Sequence, residues 1–131
     1  MLPLNFLAVV VAAVLAFVVS AIWYIVFGKE LAKVSPAFAE GRRKRQPWKM
    51  LVVIAQSLVI ALVLAYVLGL IGTVDWVEAM GIGVLLWIGL SAMQWVGSIL
   101  WENVPFKMAA IHAGDWLVKL VLIAVIVGVW R

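Results

Sequence analysis

The chain has 131 residues, of which 68% are hydrophobic and 12% charged, and its formal net charge is +4. This composition excludes a soluble globular domain, because too few polar side chains remain to cover a water-exposed surface. The sequence contains no cysteine, which excludes disulfides, thiolate nucleophiles and cysteine metal sites. We therefore expect one integral membrane domain of about four spans, with no room for a soluble catalytic or nucleic-acid-binding domain.

The first span is predicted over residues 4–27, which carry no charge and are longer than the apolar core of a signal peptide. Small side chains recur there at every fourth position, namely Ala8, Ala12, Ala16 and Ser20, and Tyr24 continues the spacing. Such a stripe lets helix backbones approach closely in lipid, so it predicts a helix-packing face. At any single position, alanine as neutral filler is the alternative interpretation.

Residues 28–49 form a basic segment with seven Lys or Arg residues against two Glu, a net charge of +5. The positive-inside rule predicts that this segment is a cytoplasmic loop, and Pro36, Gly41 and Pro47 argue against one long helix through it. Its basic cluster consists of Arg42, Arg43, Lys44 and Arg45. We interpret the cluster as a topological anchor, with recognition of anionic lipid head groups as the alternative.

The second and third spans are predicted over residues 50–71 and 77–101, joined by a tight external turn. Four polar side chains of the third span stand at offsets 0, 3, 7 and 11, namely Ser91, Gln94, Ser98 and Glu102. At about 100° per residue they fall within about 80° of one another on a helix. The spacing therefore predicts one polar stripe along this span.

The fourth span is predicted over residues 107–130, and it carries His112, Asp115 and Lys119 at offsets 0, 3 and 7 on one helix face. Lys119 falls near the middle of the bilayer, where an isolated charge is costly and charged residues pair or mark pathways. These three residues, together with the polar stripe of the third span, are the candidate intramembrane site.

A tight hairpin at residues 102–107 joins the third and fourth spans, so we expect their polar stripes to face each other. In that arrangement Gln94 lies level with Asp115, Ser98 lies level with His112, and Gly89 leaves room for Lys119. The whole chain is then an all-α bundle of four transmembrane helices. Eight of the ten Lys and Arg residues fall on the side of the basic segment, which predicts both termini on the outside.

Three short motifs resemble those of a family of small bacterial membrane proteins known as domain of unknown function 1761. They are Trp23-Tyr24 with Phe27-Gly28-Lys29, Glu102-Asn103 with Pro105-Phe106-Lys107, and Ala113-Gly114 with Trp116-Leu117-Val118. The resemblance covers nearly the whole chain and implies a four-span protein, for which we expect the bacterial inner membrane, but it supplies no activity. The chain departs from the family pattern in having Ile25-Val26 where a proline is expected. It also carries Asp115 and Lys119 where relatives have uncharged residues.

Two interpretations of the charged residues remain open. Asp115 and Lys119 stand in the favourable order for an intrahelical salt bridge, which lowers the cost of inserting them into lipid. Alternatively, they form a chain of titratable groups with His112 and Glu102, as a proton-coupled carrier requires.

The first interpretation predicts an accessory, structural or partner-binding membrane protein that associates with itself or with another membrane protein. The second predicts a small proton-coupled or small-solute transporter that works as a homo-oligomer. We expect no enzymatic activity, cofactor or metal, because no HExxH or GxSxG motif and no acid-rich metal cluster occurs.

Overall fold

The computed structural model describes residues 4–44 and 46–131, and all its regular structure is helical. The helices are α1 (Phe6–Val34), α2 (Pro36–Arg43), α3 (Pro47–Ile71), α4 (Trp76–Leu86), α5 (Met93–Glu102) and α6 (Phe106–Val129). A π-helical turn, Trp87–Ala92, joins α4 and α5 into one continuous span. Four helical stretches are therefore long and apolar enough to cross a membrane, namely α1, α3, α4–α5 and α6. The predicted all-α fold with four spans is confirmed, and the protein is a multi-pass membrane protein.

The two hairpins that connect the last three spans are short. Gly72 ends α3 in the left-handed conformation with φ of 83°, and Asp75 caps the start of α4 by accepting from the Val77 amide. Asn103 ends α5 with φ of 53°, a conformation that asparagine tolerates better than most residues, and Pro105 precedes α6. Both tight connections therefore agree with the predicted hairpins.

The basic segment at residues 28–49 is mostly helical, whereas the sequence predicted a loop. Helix α1 runs to Val34, because residues 29–33 are good helix formers and Glu30 pairs with Lys33 at 3.3 Å. The Ser35 side chain then caps α2, and Pro36 takes the first helical position, where its missing N–H costs no hydrogen bond. Arg45 lies outside the described residues.

Helix α6 is the centre of the bundle, because it packs against α1, α3 and the α4–α5 span. We call the end of the bundle that carries α2 the α2 end. The α5–α6 hairpin lies at this same end, because Lys107 at the start of α6 forms a salt bridge with Glu30 of α1. The turn between α3 and α4 lies at the opposite end, where Thr73 is fully buried beside Gly128.

The half of the bundle away from α2 is closed by small and branched apolar side chains. Its buried cluster is made of Val9, Ala12, Ala13 and Ala16 of α1, Ala61, Leu64, Ala65 and Leu68 of α3, and Leu120, Ile123, Ala124 and Val127 of α6. Small side chains bring these three helices close together, and van der Waals packing then stabilises the contact in lipid. Toward the α2 end the same three helices leave space between them.

Glycines set the close approach of α4 to α6. A Cβ at Gly128 would lie 2.8 Å from Ala79 Cβ, and a Cβ at Gly83 would lie 3.1 Å from the Leu120 carbonyl oxygen. Gly89 faces open space, so the prediction that it makes room for Lys119 is wrong. Gly83, one and a half turns earlier, is the glycine of this span that lies against α6.

Candidate intramembrane polar site

The centre of the site is the carboxylate of Asp115, which is 3% exposed in α6. Its Oδ1 accepts a hydrogen bond of 2.5 Å from the Ser20 hydroxyl of α1. Its Oδ2 accepts a longer bond of 3.5 Å from the Tyr24 hydroxyl and lies 3.3 Å from Lys119 Nζ. Both carboxylate oxygens therefore have polar partners, as a buried charge requires.

Tyr24 links this carboxylate to the only histidine of the chain. Its hydroxyl lies 2.7 Å from His112 Nδ1. When the single hydroxyl proton is donated to Asp115, the hydroxyl oxygen accepts from Nδ1–H; in the other imidazole tautomer, the hydroxyl donates to Nδ1 instead. The opposite side of the imidazole is covered by Trp95 of α5, with ring centroids 5.1 Å apart and planes 8° apart. The polar groups thus form one chain from His112 through Tyr24 and Asp115 to Lys119.

Lys119 is 6% exposed, and its ammonium lies 4.5 Å from the centre of the Trp116 ring. At that distance the face of an indole attracts a cation. The intrahelical salt bridge predicted between Asp115 and Lys119 is thus present, with an aromatic ring as the second neighbour of the cation.

Two tryptophan side chains fix the backbone of α6 next to the site. Trp23 Nε1 donates to the Ile111 carbonyl at 2.9 Å, and Trp87 Nε1 donates to the Ala113 carbonyl at 2.8 Å. The Trp23 ring also lies so close to Gly114 that a Cβ there would be 2.5 Å from it. These contacts hold α1 and α4–α5 at a fixed register on α6.

A cavity of about 400 Å³ lies beside the charged pair, among α1, α3 and α6. We call it the Lys119 cavity. Apolar rings of Phe17 and Trp116 form part of its wall, Gln56 of α3 contributes an amide, and Phe38 of α2 lies at its outer side. It occupies the half of the bundle toward α2, where the three helices diverge.

A second concave surface lies between α3 and the α4–α5 span, and Trp116 of α6 lines both this surface and the Lys119 cavity. This groove has a volume of about 420 Å³ and is lined mainly by aliphatic side chains of α3, while Ser91 and Gln94 of the α4–α5 span contribute polar groups. We call it the Gln94 groove. It exists because α6 separates the two helices that form its sides.

A family model described as "Protein of unknown function (DUF1761)" matches residues 7–128, which is nearly the whole chain. The chain belongs to this family. The resemblance predicted from the three short motifs is thereby confirmed. No curated protein and no solved structure matches the chain. Since the family description carries no activity, the function of this DUF1761 protein has to be inferred from its geometry.

The polar stripe predicted on the third span does not face the charged residues of α6 in this DUF1761 protein. Gln94 is exposed, and the Ser98 hydroxyl donates to the Gln94 carbonyl of its own helix at 3.2 Å. Glu102 is exposed at the α2 end, and Ser91 alone is buried. The prediction that the two polar stripes face each other is therefore wrong, because α1 supplies the hydrogen-bond partners of Asp115 and His112.

The π-helical turn explains why the stripe points elsewhere. In a regular helix, the face that carries Ala79 and Gly83 continues through Leu90 to Gln94 at 3.6 residues per turn. A π-turn adds one residue and rotates everything after it by about 100°. The face that packs on α6 therefore continues to Trp95, while Gln94 turns to the side.

The sequence pattern predicts helix packing for Ser20 and no role in the site for Tyr24, Trp95 or Trp116. Tyr24 carried a signal, because it continues the four-residue spacing from Ser20 and so lies on the α1 face that meets α6. Nothing in the sequence indicates a role in the site for Trp95 or Trp116, since an aromatic residue in a span is equally suited to face lipid or protein.

The other residues singled out in the sequence belong to the small-residue stripe of α1 and to the basic cluster at the end of α2. The small side chains of α1 are buried in the interior, with exposed fractions of 1% for Ala8 and 0% for Ala12 and Ala16. Arg42 lies over the Phe38 ring at 6.0 Å, Arg43 is exposed, and Lys44 pairs with Glu40 at 3.2 Å. In the part of the chain that the structure describes, no three His, Asp or Glu side chains cluster to hold a metal ion.

Proposed function

We propose that this protein is a non-catalytic membrane subunit that associates with a second copy of itself through the Gln94 groove. The observation that carries the proposal is the position of Gln94. It lies eight residues before the end of α5 at Glu102, which is about 12 Å at 1.5 Å per residue and so within the hydrocarbon layer. Its side chain is nevertheless exposed on the outer surface of the bundle.

An amide exposed to lipid forfeits hydrogen bonds that it would make in water, so a partner that restores them is favoured. The Gln94 amide has both donors and an acceptor, and two copies related by a two-fold axis can satisfy each other with the same residue. Gly97, three residues later on the same face, has no neighbouring atoms within 4 Å of a Cβ position and would let a second helix approach.

The test is the association of labelled copies in liposomes, measured by energy transfer as the protein-to-lipid ratio is varied. Gln94→Leu should weaken association by about 3- to 30-fold, because interhelical hydrogen bonds in membranes contribute about 0.6 to 2 kcal/mol. Gln56→Leu is the matched control, since it removes an exposed amide that lines the Lys119 cavity instead. Energy transfer at the level of random encounters in the parent, or an equal loss in the control, would contradict the proposal.

A second candidate function is a small-solute or proton-coupled carrier, and the chain of polar groups from His112 to Lys119 beside a cavity favours it. Proton-linked carriers need such connected titratable groups inside the membrane. The test is proton flux into liposomes under a pH gradient, with the parent and the Asp115→Asn, Lys119→Met double variant compared side by side. Proton flux that is present in the parent and absent in the double variant would favour the carrier function over the non-catalytic subunit. Absence of flux from the folded parent would contradict the carrier function.

For location we propose the bacterial inner membrane, with the α2 end in the cytoplasm. The support is the net charge of +5 on residues 28–49 and the position of Lys107 at the same end of the bundle.

A further inference from the structure

The Lys119 cavity combines flat apolar walls with a small number of hydrogen-bond donors. Phe17 and Trp116 present rings to it, and Met50 and Phe38 lie toward its outer side. Its volume of about 400 Å³ suits a compact ring compound, since ligand pockets for small molecules start at about 300 Å³. The cavity is therefore large enough for a ligand and apolar enough to receive one from the membrane.

The donors that remain unused belong to Lys119. An ammonium group has three N–H donors. Among the described residues 4–44 and 46–131, the polar neighbour of the Lys119 ammonium is Asp115 Oδ2 at 3.3 Å. The other close neighbour of the ammonium is the Trp116 ring. Only Oδ2 of Asp115 lies within reach of the ammonium, while Oδ1 accepts from Ser20. Lys119 thus lines the cavity with its side chain almost wholly buried and with N–H donors that have no acceptor.

The charges of Lys119 and Asp115 determine which class of ligand can accept hydrogen bonds from Lys119. The positive charge of Lys119 is already matched by Asp115, so an anionic ligand would add one uncompensated negative charge inside the membrane. A neutral acceptor oxygen fills the free donors without that cost. Gln56 offers an amide donor on the α3 side of the same cavity, which suits a second acceptor on the ligand.

We propose that the Lys119 cavity binds a neutral, flat compound with carbonyl oxygens on an apolar ring, which is the chemistry of a quinone headgroup. Lys119 and Gln56 donate to the carbonyl oxygens, and the ring packs against Phe17 and Trp116. No change of oxidation state is part of the proposal. It depends neither on association through the Gln94 groove nor on transport, because it concerns a separate cavity and equilibrium binding alone.

The test measures binding of duroquinone, a fully methylated benzoquinone that does not alkylate amines, to the full chain in detergent micelles. Equilibrium dialysis and the rise in unfolding temperature report the binding. Two compounds of the same ring substitution serve as comparisons, namely durene, which lacks the oxygens, and 2,3,5,6-tetramethylbenzoate, which is an anion. We expect saturable binding of one duroquinone per chain and at least about ten-fold weaker binding of both comparison compounds.

Variants locate the site. The double variant Asp115→Asn, Lys119→Met should bind duroquinone about ten-fold or more weakly, because it removes the ammonium donors without leaving a charge unpaired. Gln56→Leu should weaken binding by a smaller factor and is informative even if the double variant fails to fold. Gln94→Leu should bind as the parent does, because Gln94 does not line the Lys119 cavity. Unsaturable uptake, equal binding of durene, tighter binding of the benzoate, or full binding by both cavity variants would each overturn the proposal.

Discussion

The Ser20 hydroxyl lies 2.5 Å from Oδ1 of Asp115, although 95 positions separate the two residues in the chain. Ser20 is the last small residue of the α1 stripe that includes Ala12 and Ala16, so one helix face both packs against α6 and provides a hydrogen bond to its carboxylate. This explains how α6 can carry a charged pair inside the membrane: a helix that packs on α6 through small side chains also brings hydroxyl donors to it.

Replacing Ser20 by alanine should destabilise the bundle by about 1–3 kcal/mol, because Asp115 Oδ1 then loses its hydrogen-bond donor while it stays buried. Reversible unfolding in mixed micelles measures the effect. The control is Ser98→Ala, since the Ser98 hydroxyl donates only to a carbonyl of its own helix and its removal should change stability little. Equal stabilities of the two variants would show that the Ser20 contact contributes nothing.

Replacing Gly114 by alanine should displace the Trp23 ring, because the new Cβ would lie 2.5 Å from it. Trp23 is held by its hydrogen bond to the Ile111 carbonyl, so the ring cannot move without losing that bond. We expect a loss of about 1–3 kcal/mol, the range for overpacking, and a shift of tryptophan emission. Gly81→Ala is the control, because a Cβ at Gly81 faces open space and the substitution should therefore be neutral or slightly stabilising. A stable Gly114→Ala protein with unchanged emission would contradict this packing.

The four spans could be predicted from the sequence, because their length and apolar composition depend on local residues alone. The pair of Asp115 and Lys119 could be predicted as well, since a spacing of four residues brings them together on any α-helix. The partners of that pair could not be derived in the same way. They depend on the rotation of each helix about its axis, and a uniform apolar surface does not specify this rotation.

The third span shows the difficulty most clearly. Its polar residues share one stripe only if the helix has 3.6 residues per turn from end to end, and the π-turn at Trp87–Ala92 interrupts that regular geometry. One added residue is enough to bring Trp95 onto His112 and to turn Gln94 outward. No residue in the turn is a proline that would have indicated an irregularity in advance.

Membrane topology gives a prediction that does not depend on the site. Reporter fusions at Gly41 in α2 and after Arg131 should show the α2 end in the cytoplasm and the C-terminus outside, because residues 28–49 carry a net charge of +5. The salt bridge with Glu30 shows that Lys107, a further cation, lies at the same end. A cytoplasmic signal from the C-terminal fusion would contradict the orientation.

The charged pair provides the last prediction, in which the two single variants differ. Lys119→Met leaves Asp115 with the hydroxyl donors of Ser20 and Tyr24. Asp115→Asn leaves Lys119 with a neutral amide and the Trp116 ring, so a buried cation loses its counterion. Stranding a charge near the bilayer centre costs at least about 2.5 kcal/mol, and the hydroxyl donors offset part of that cost only for the carboxylate.

We therefore expect Asp115→Asn to be the least stable variant, Lys119→Met to be intermediate, and the double variant to be at least as stable as the parent, because neutral residues of similar size often replace a buried ion pair without loss. Unfolding free energies of all four proteins in the same micelles measure the order. A double variant less stable than either single variant would contradict the expectation, because it would mean that the neutral side chains pack worse than a stranded charge. Equal losses in the two single variants would show that Ser20 and Tyr24 do not stabilise the carboxylate.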